Sequence, residues 1–468
     1  TSVAQLTKFL KNQGVKKGDR VAAVVANIPQ SIIAMLATTS LGAIWSSCSP
    51  DFGEKGILDR FSQIEPSVLI YTGDYFYNDK KYSLWPKINA CLRKLPGVKT
   101  VLNTNFEPLK EEELQSDIEV WHWEKALLES GIKIDADPEK YLEFEPVKFD
   151  HPLYILYSSG TTGEPKCIVH GTGGTLLQHK KELLLHSDLG PGDRMFYFTT
   201  CGWMMWNWMV SSMAVGATVV QYDGSVAFPN LKAIWDFINT QKITHFGTSP
   251  KFLALCKAKR LDIKSMFPLE SMRVLLSTGA PLLPEHYEWI YESVKSDVHV
   301  ASISGGTDII SCFMLGNPSL PVYSGEIQSL GLGMAVEVWD DSGNPVNRFD
   351  QGELVCTKPF VSMPVSFWGK DGDSKYEKAY FSKYPDKDVW HHGDYISMTD
   401  HHGVVVHGRS DTTLNPGGVR IGTAEIYRVI ESFDQIKDSL VVGVPHKGDV
   451  EVVLFVKVDD EGEINQVP

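Results

Sequence analysis

The sequence predicts an α/β protein with a smaller β-rich part in its last third, and three observations carry that reading. Short apolar runs alternate with helix-like stretches: Arg20–Ala26, Val68–Tyr71, Val219–Tyr222, His245–Gly247 and Val274–Ser277 read as strands covered on both faces, as a parallel sheet requires. From about residue 321 strand-like runs and turns crowd together, as in Gly333–Trp339, Asp341-Ser-Gly-Asn, Gly352–Thr357 and Gly403–Gly408. The 468 residues also exceed the roughly 250–300 at which one hydrophobic core stops growing, so at least two domains or subdomains are expected.

The elements follow in order. Val3, Leu6, Phe9 and Leu10 open the chain with a helical apolar stripe. Val21 to Trp45 is apolar enough to suggest a membrane span. Asn27, Pro29, Gln30 and Ser31 break it into a strand (Val21–Ala26) and a helix (Ile32–Leu41), too short to cross. Residues 72–150 are richer in charge and aromatics and weaker in period, and read as a peripheral elaboration. Pro152–Leu156 is a short apolar strand. Trp203–Met209, apolar on every side, reads as a buried helix. Gly408–Gly418 is polar and Gly-rich, a linker or hinge. The chain begins without Met in mid-pattern and ends just after the strand-like Val452–Val456, so both ends are expected to be cuts through a larger protein.

Composition excludes several classes. A net charge of −14 with no basic stripe argues against nucleic acid, so anionic ligands must meet a few local cations. Seven scattered cysteines without a C-x-x-C pair read as reduced thiols of a cytosolic protein. His391-His392 and His401-His402 lack a Cys or carboxylate at a ligand spacing, and adjacent strand residues face opposite ways, so no metal centre is expected there. Neither a G-x-S-x-G elbow nor an H-E-x-x-H pair occurs.

The richest stretch is Tyr157–Lys166, YSSGTTGEPK, which follows the Pro152–Leu156 strand. Gly160 and Gly163, the hydroxyls of Ser158, Ser159, Thr161 and Thr162, and Lys166 suit a loop whose N–H and O–H groups wrap a polyphosphate. The spacing fits neither a P-loop nor a Rossmann fingerprint: Lys166 lies three residues after Gly163 and precedes Cys167, and Gly171-Thr-Gly173-Gly174 misses the last glycine.

Six further segments follow in order: CGWMMWNWM (201–209), STGAP (277–281), SGGTDI (304–309), GELV (352–355), HHGDY (391–395) and GRSDTTLNPGGVRIGTAEIY (408–427). Together the set resembles the adenylate-forming superfamily of acyl-CoA synthetases, non-ribosomal adenylation domains and luciferases. SPDFG (49–53), LDRFSQI (58–64), GWMMWNWMVS (202–211), YDGS (222–225), SISGGTDIISCF (302–313) and AYFSK (379–383) are similar to members that act on acetoacetate. The similarity runs over essentially the whole chain.

The resemblance implies a large N-terminal domain (1–410) of two βα subdomains and a β subdomain, then the truncated start of a small mobile α+β C-terminal domain (411–468). It implies a two-step ligase using ATP, Mg²⁺ and CoA: a carboxylate, with acetoacetate the expected one, is adenylated and then passed to the CoA thiol. Ser158–Gly163 and Lys166 would hold the phosphates, and Thr307 and Asp308 match a Thr-Glu pair whose acid helps hold Mg²⁺. Gly279, Ala280 and Pro281 would face the adenine, with Ser302, Ser304, Gly305 and Gly306 on its other side. Asp394 would accept from the ribose hydroxyls, and Arg409 and Arg420 would approach ribose and phosphate. Thr161, Lys166, Thr307, Asp308, Arg409 and Arg420 form the implied catalytic set. Trp203, Met204, Met205, Asn207, Thr278 and Gly305 would form the acyl pocket. Acetyl-CoA synthetases carry a pocket-closing tryptophan where this chain has Gly305, so a longer acyl group is expected to fit. Asp411 matches the hinge of the mobile domain, and the lysine that assists adenylation in the family would lie beyond Pro468. Two other readings stay open: a CoA ligase for another short or branched carboxylate, and a nucleotide-binding module without full ligase activity.

Overall fold

A computed structural model describes residues 1–105, 118–135, 137–158, 165–410, 413–414, 416–418, 421–430, 436–446 and 449–458. Among these residues the largest sheet has eight strands, in the order Ser366–Phe367, Lys166–Gly171, Pro152–Ser158, Ile44–Cys48, Arg20–Val24, Val68–Tyr71, Thr100–Asn103 and Glu119–His122. Its middle is parallel; the pair Pro152–Ser158 and Lys166–Gly171 is antiparallel.

Side-chain alternation explains why its central strands are continuously apolar. Val21, Ala23, Val68 and Ile70 enter one core with Leu6, Phe9 and Met35 from the helices Ser2–Asn12 and Pro29–Ser40. Ala22, Val24, Leu69 and Tyr71 enter another, against Ile57, Phe61 and Ile88 from the helices Glu54–Ile64 and Trp85–Leu92. Both faces are covered, so from Val21 on and throughout Val68–Tyr71 these two strands present apolar side chains to both sides.

A second sheet of five parallel strands runs Thr218–Val219, Arg194–Tyr197, His245–Thr248, Val274–Ser277 and His299–Ser302. Met195, Tyr197 and Leu276 share the core that Val21 and Ile70 enter, so the two sheets are packed across a common interior. Phe196, Phe246 and Leu275 face outward onto Trp235, Phe252 and Ile290. The helix Met204–Val210 fills the shared interior with every residue buried. Its indoles need partners there: Trp206 donates to Asn27 Oδ1 at 3.0 Å and Trp208 to Glu182 Oε2 at 2.8 Å.

An antiparallel sheet (Val336–Trp339, Gly352–Cys356, Trp390–Met398, Val404–Arg409) forms the third body and packs its core on Ile168, Ile309 and Phe313. Beyond it lie the short pair Thr413–Leu414 and Ile421–Gly422, the helix Thr423–Ile430 and the hairpin Ile436–His446/Asp449–Val458, with a small core of their own around Leu414, Ile430 and Val441.

Two expectations are corrected. The segment 72–150 is not only peripheral: Thr100–Asn103 and Glu119–His122 extend the large sheet, and Trp123 and Ala126 enter its core. The run Val219–Tyr222 is strand only at Thr218–Val219. All seven cysteines are free and buried. Among the described residues no helix is long and apolar enough to cross a membrane.

Candidate active site

Both parallel sheets end their strands at one cleft of about 1280 Å³, with the antiparallel sheet closing a third side. That exceeds the roughly 300–1,000 Å³ of a pocket for one small ligand, leaving room for more than one. The opening lies where carboxyl ends of strands meet, the usual position for ligands in open α/β sheets.

The strand Pro152–Ser158 delivers Ser158 to the cleft, and the antiparallel partner starting at Lys166 returns beside it, Ser158 paired with Lys166 in register. Between them Ser159, Gly160, Thr161, Thr162 and Gly163 lie outside the described residues, as do Asp411 and Arg420. Lys166 Nζ lies 3.2 Å from Asp308 Oδ1, and Asp308 is only 2% exposed. The same oxygen accepts from the Tyr380 hydroxyl at 2.6 Å and from Ser158 Oγ at 3.5 Å. The Lys166 ammonium sits 5.0 Å from the centre of the Tyr380 ring, which stacks on Trp390 at 3.8 Å. A buried carboxylate is tolerable because cation and donors surround it. Buried His170 lies close enough to feel the Asp308 charge; burial pushes its imidazole down to about 3 and Asp308 only partly opposes this, so the ring is neutral near pH 7.

Across the cleft, the turn after Val274–Ser277 carries Thr278, Gly279, Ala280 and Pro281, and the segment after His299–Ser302 carries Ser304, Gly305, Gly306 and Thr307. The Thr278 hydroxyl donates to the Ile303 carbonyl at 2.8 Å, tying the two turns together. Gly279 has φ +103°, a conformation that favours glycine. On the third side, Asp394 and Arg409 are register partners on neighbouring strands. Arg409 Nη1 lies 2.8 Å from Asp394 Oδ1, and Nη2 donates to the His392 carbonyl at 3.2 Å.

Trp203, Met204 and Met205 line the cleft. Asn207 does not: it is buried in the core, because only the first turn of its helix reaches the opening. The expected role of Gly305 is also corrected. It lies on the cleft wall, but a Cβ there would meet the Ser311 carbonyl oxygen at 2.0 Å and Cys312 Cα at 2.6 Å. The absent side chain makes room for the neighbouring strand Ser311–Leu315, not for a ligand.

Tyr380 was missed, although AYFSK stood out, because no spacing rule links it to Asp308 across 72 residues. Asp51, Phe52 and Arg60 also line the cleft, from SPDFG and LDRFSQI. So do Leu414, Gly417, Gly443, His446 and Asp449 from the C-terminal elements.

A sequence model of AMP-binding enzymes matches residues 1–364. The acetoacetyl-coenzyme A synthetase of Rhizobium meliloti (strain 1021) is 49% identical over 462 residues, covering 97% of this chain and 68% of that protein. The acetoacetyl-CoA synthetase of Xenopus tropicalis is 46% identical over 466 residues, 99% of this chain and 69% of the other. A malonamoyl-CoA synthetase of Penicillium aethiopicum is 42% identical, over 95% and 62%. Among solved structures, an acetoacetyl-CoA synthetase from Streptomyces lividans superposes with a TM-score of 0.81 at 41% identity, covering 99% of this chain and 69% of that one.

Proposed function

The chain belongs to the family of AMP-binding enzymes, and from that premise we propose how its cleft divides the work of an acid–thiol ligase. The reaction joins acetoacetate to CoA at the expense of ATP. In the first step a carboxylate oxygen bonds to the α-phosphorus, the bond to the β-phosphate oxygen breaks, and pyrophosphate leaves. In the second the CoA sulfur bonds to the acyl carbon, the thiol proton goes to solvent, and AMP leaves with the former carboxylate oxygen.

The observation that carries this reading is the convergence of two acid–cation pairs, Asp308–Lys166 and Asp394–Arg409, on one cleft. Lys166, with Ser158 and residues 159–163, takes the β- and γ-phosphates. Asp394 accepts from both ribose hydroxyls, since an ionised carboxylate is a two-oxygen acceptor. Arg409, and Arg420 beyond it, face the α-phosphate where charge gathers. The turns 278–281 and 302–307 enclose the purine, and Trp203, Met204 and Met205 meet the acyl group. The pairs hold these side chains in place before a ligand arrives, so less ordering remains to be done on binding.

A magnesium ion suits the residues present. Nucleotide-bound Mg²⁺ takes most of its oxygens from phosphates and water and needs only one or two carboxylates. Asp308 is one such carboxylate, buried at the wall that also carries Thr307. When bound, the ion would offset charge on the phosphate oxygens. We further assign residues 1–410 to the AMP-binding domain and 411–468 to the start of a C-terminal domain that turns about Asp411. The separate small core around Leu414, Ile430 and Val441 supports that division.

A ligase for another short carboxylate is the second reading, favoured by the malonamoyl relative. Pyrophosphate release over a panel of short carboxylates separates the two: acetoacetate should give the highest kcat/KM, and a clear preference for malonamate, acetate or a branched acid would select the second reading.

A further inference from the structure

SPDFG (49–53) and LDRFSQI (58–64) have no part in the chemistry above, yet both reach the same wall of the cleft. Arg60 lies on the helix Glu54–Ile64 and donates Nη1 to the Gly56 carbonyl one turn back, at 2.8 Å. Its guanidinium carbon lies 4.6 Å from the centre of the Phe52 ring and 5.7 Å from that of Tyr157, and all three residues line the cleft. A guanidinium held over two aromatic rings is fixed in place and still has N–H groups to donate.

Among the described residues, two arginines line the cleft. Arg409 is paired with Asp394, whereas Arg60 pairs with no carboxylate among the described residues. The position of its helix is informative. Tyr157 directly precedes Ser158, and Gln63, three residues after Arg60, donates to the Pro165 carbonyl at 3.3 Å. The helix thus touches the residues next to Ser158 and Lys166. A cation held at a cleft wall in a chain of net charge −14 answers a local anion.

We infer that Arg60 is a phosphate-binding residue of this cleft, its fork donating to a phosphoanhydride group. The inference rests on the reading that ATP and CoA occupy the cleft, and either could present such a group. Contact with the residues beside Ser158 and Lys166 favours the β- and γ-phosphates of ATP and the pyrophosphate they become.

The test is calorimetric titration of the whole chain and of its R60Q and R60M variants with AMP, inorganic pyrophosphate, ATP and CoA. R60M keeps the packing of the aliphatic stem, so the result does not hang on the folding of one variant. Pyrophosphate and ATP should bind about tenfold more weakly to both variants, as loss of one charge-assisted contact implies, while AMP is unchanged. Weakening of CoA alone keeps the phosphate role and moves it to the CoA diphosphate. Unchanged pyrophosphate, ATP and CoA with normal AMP binding overturns the inference. Failure of the unaltered chain to bind AMP would instead refute the nucleotide reading of the cleft.

Discussion

Lys166 and Asp394 serve different parts of one nucleotide, and their variants should separate cleanly. Lys166→Ala should weaken ATP and pyrophosphate by about tenfold or more and leave AMP nearly untouched, because AMP lacks the phosphates that the lysine meets. Asp394→Ala should weaken AMP and ATP by the same factor, since both carry the ribose. Equal losses of ATP and AMP in the lysine variant would remove Lys166 from the phosphate end. The lysine change also has a structural cost. Breaking a buried ion pair typically costs about 3–5 kcal/mol. Lys166 keeps 20% of its side chain exposed, and Tyr380 and Ser158 still donate to Asp308, so the loss should fall at or below the low end.

At the scale of elements, the tight pairing of Ser304–Gly306 with Ser311–Leu315 sets what position 305 tolerates. Gly305→Ala puts a methyl group into the Ser311 carbonyl, so the strands must part. We expect at least the ~1–3 kcal/mol of an overpacked core, read as a lower midpoint in urea, and a loss of activity with acetate and acetoacetate alike. Full stability of the variant would contradict that packing. This glycine also marks a limit of the sequence: SGGTDI announces a site, but which glycine faces a ligand and which a backbone depends on a strand pairing that spacing does not encode. Asn207 is similar, since WMMWNWM gives a buried helix but not which turn reaches the opening. By contrast RVAAV and VLIY were legible because strands covered on both faces must be apolar throughout. Thr100–Asn103 (TVLN) and Glu119–His122 (EVWH) were not, because in each a short apolar pair lies between polar residues, too little to set a period.

The strands 352–356, 390–398 and 404–409 carry a second charged knot. Burial pushes the Glu353 carboxyl up, but hydrogen bonds from His391, Lys383 and Ser410 outweigh it and hold it at about 2, below its ordinary 4.5. A carboxyl depressed by folding stabilises the protein above its unfolded value and loses that contribution as pH falls towards the folded value. Stability should therefore drop between about pH 4.5 and 2. Glu353→Gln, which cannot ionise, should be less stable at neutral pH and flatter across that window in chemical melts; parallel curves for both proteins would exclude the knot as a source of acid sensitivity.

Residues 1–410, where described, form three packed bodies that meet at one opening, with described C-terminal elements reaching its rim. The order of motifs in the sequence anticipated part of that convergence, because YSSGTTGEPK, STGAP and SGGTDI each lie at the end of a strand with parallel neighbours, and such strands end on the same side. What it did not carry was the pairing of groups across bodies: Tyr380 on Asp308, or Arg60 against Phe52 and Tyr157. The most direct test of the central claim, that a carboxylate oxygen of acetoacetate attacks the α-phosphorus in this cleft, follows that oxygen. Acetoacetate labelled with ¹⁸O in its carboxylate, incubated with ATP, CoA and the protein, should yield AMP carrying one labelled oxygen and unlabelled pyrophosphate by mass spectrometry. Label in inorganic phosphate, or CoA ester formed alongside unlabelled AMP, would contradict it.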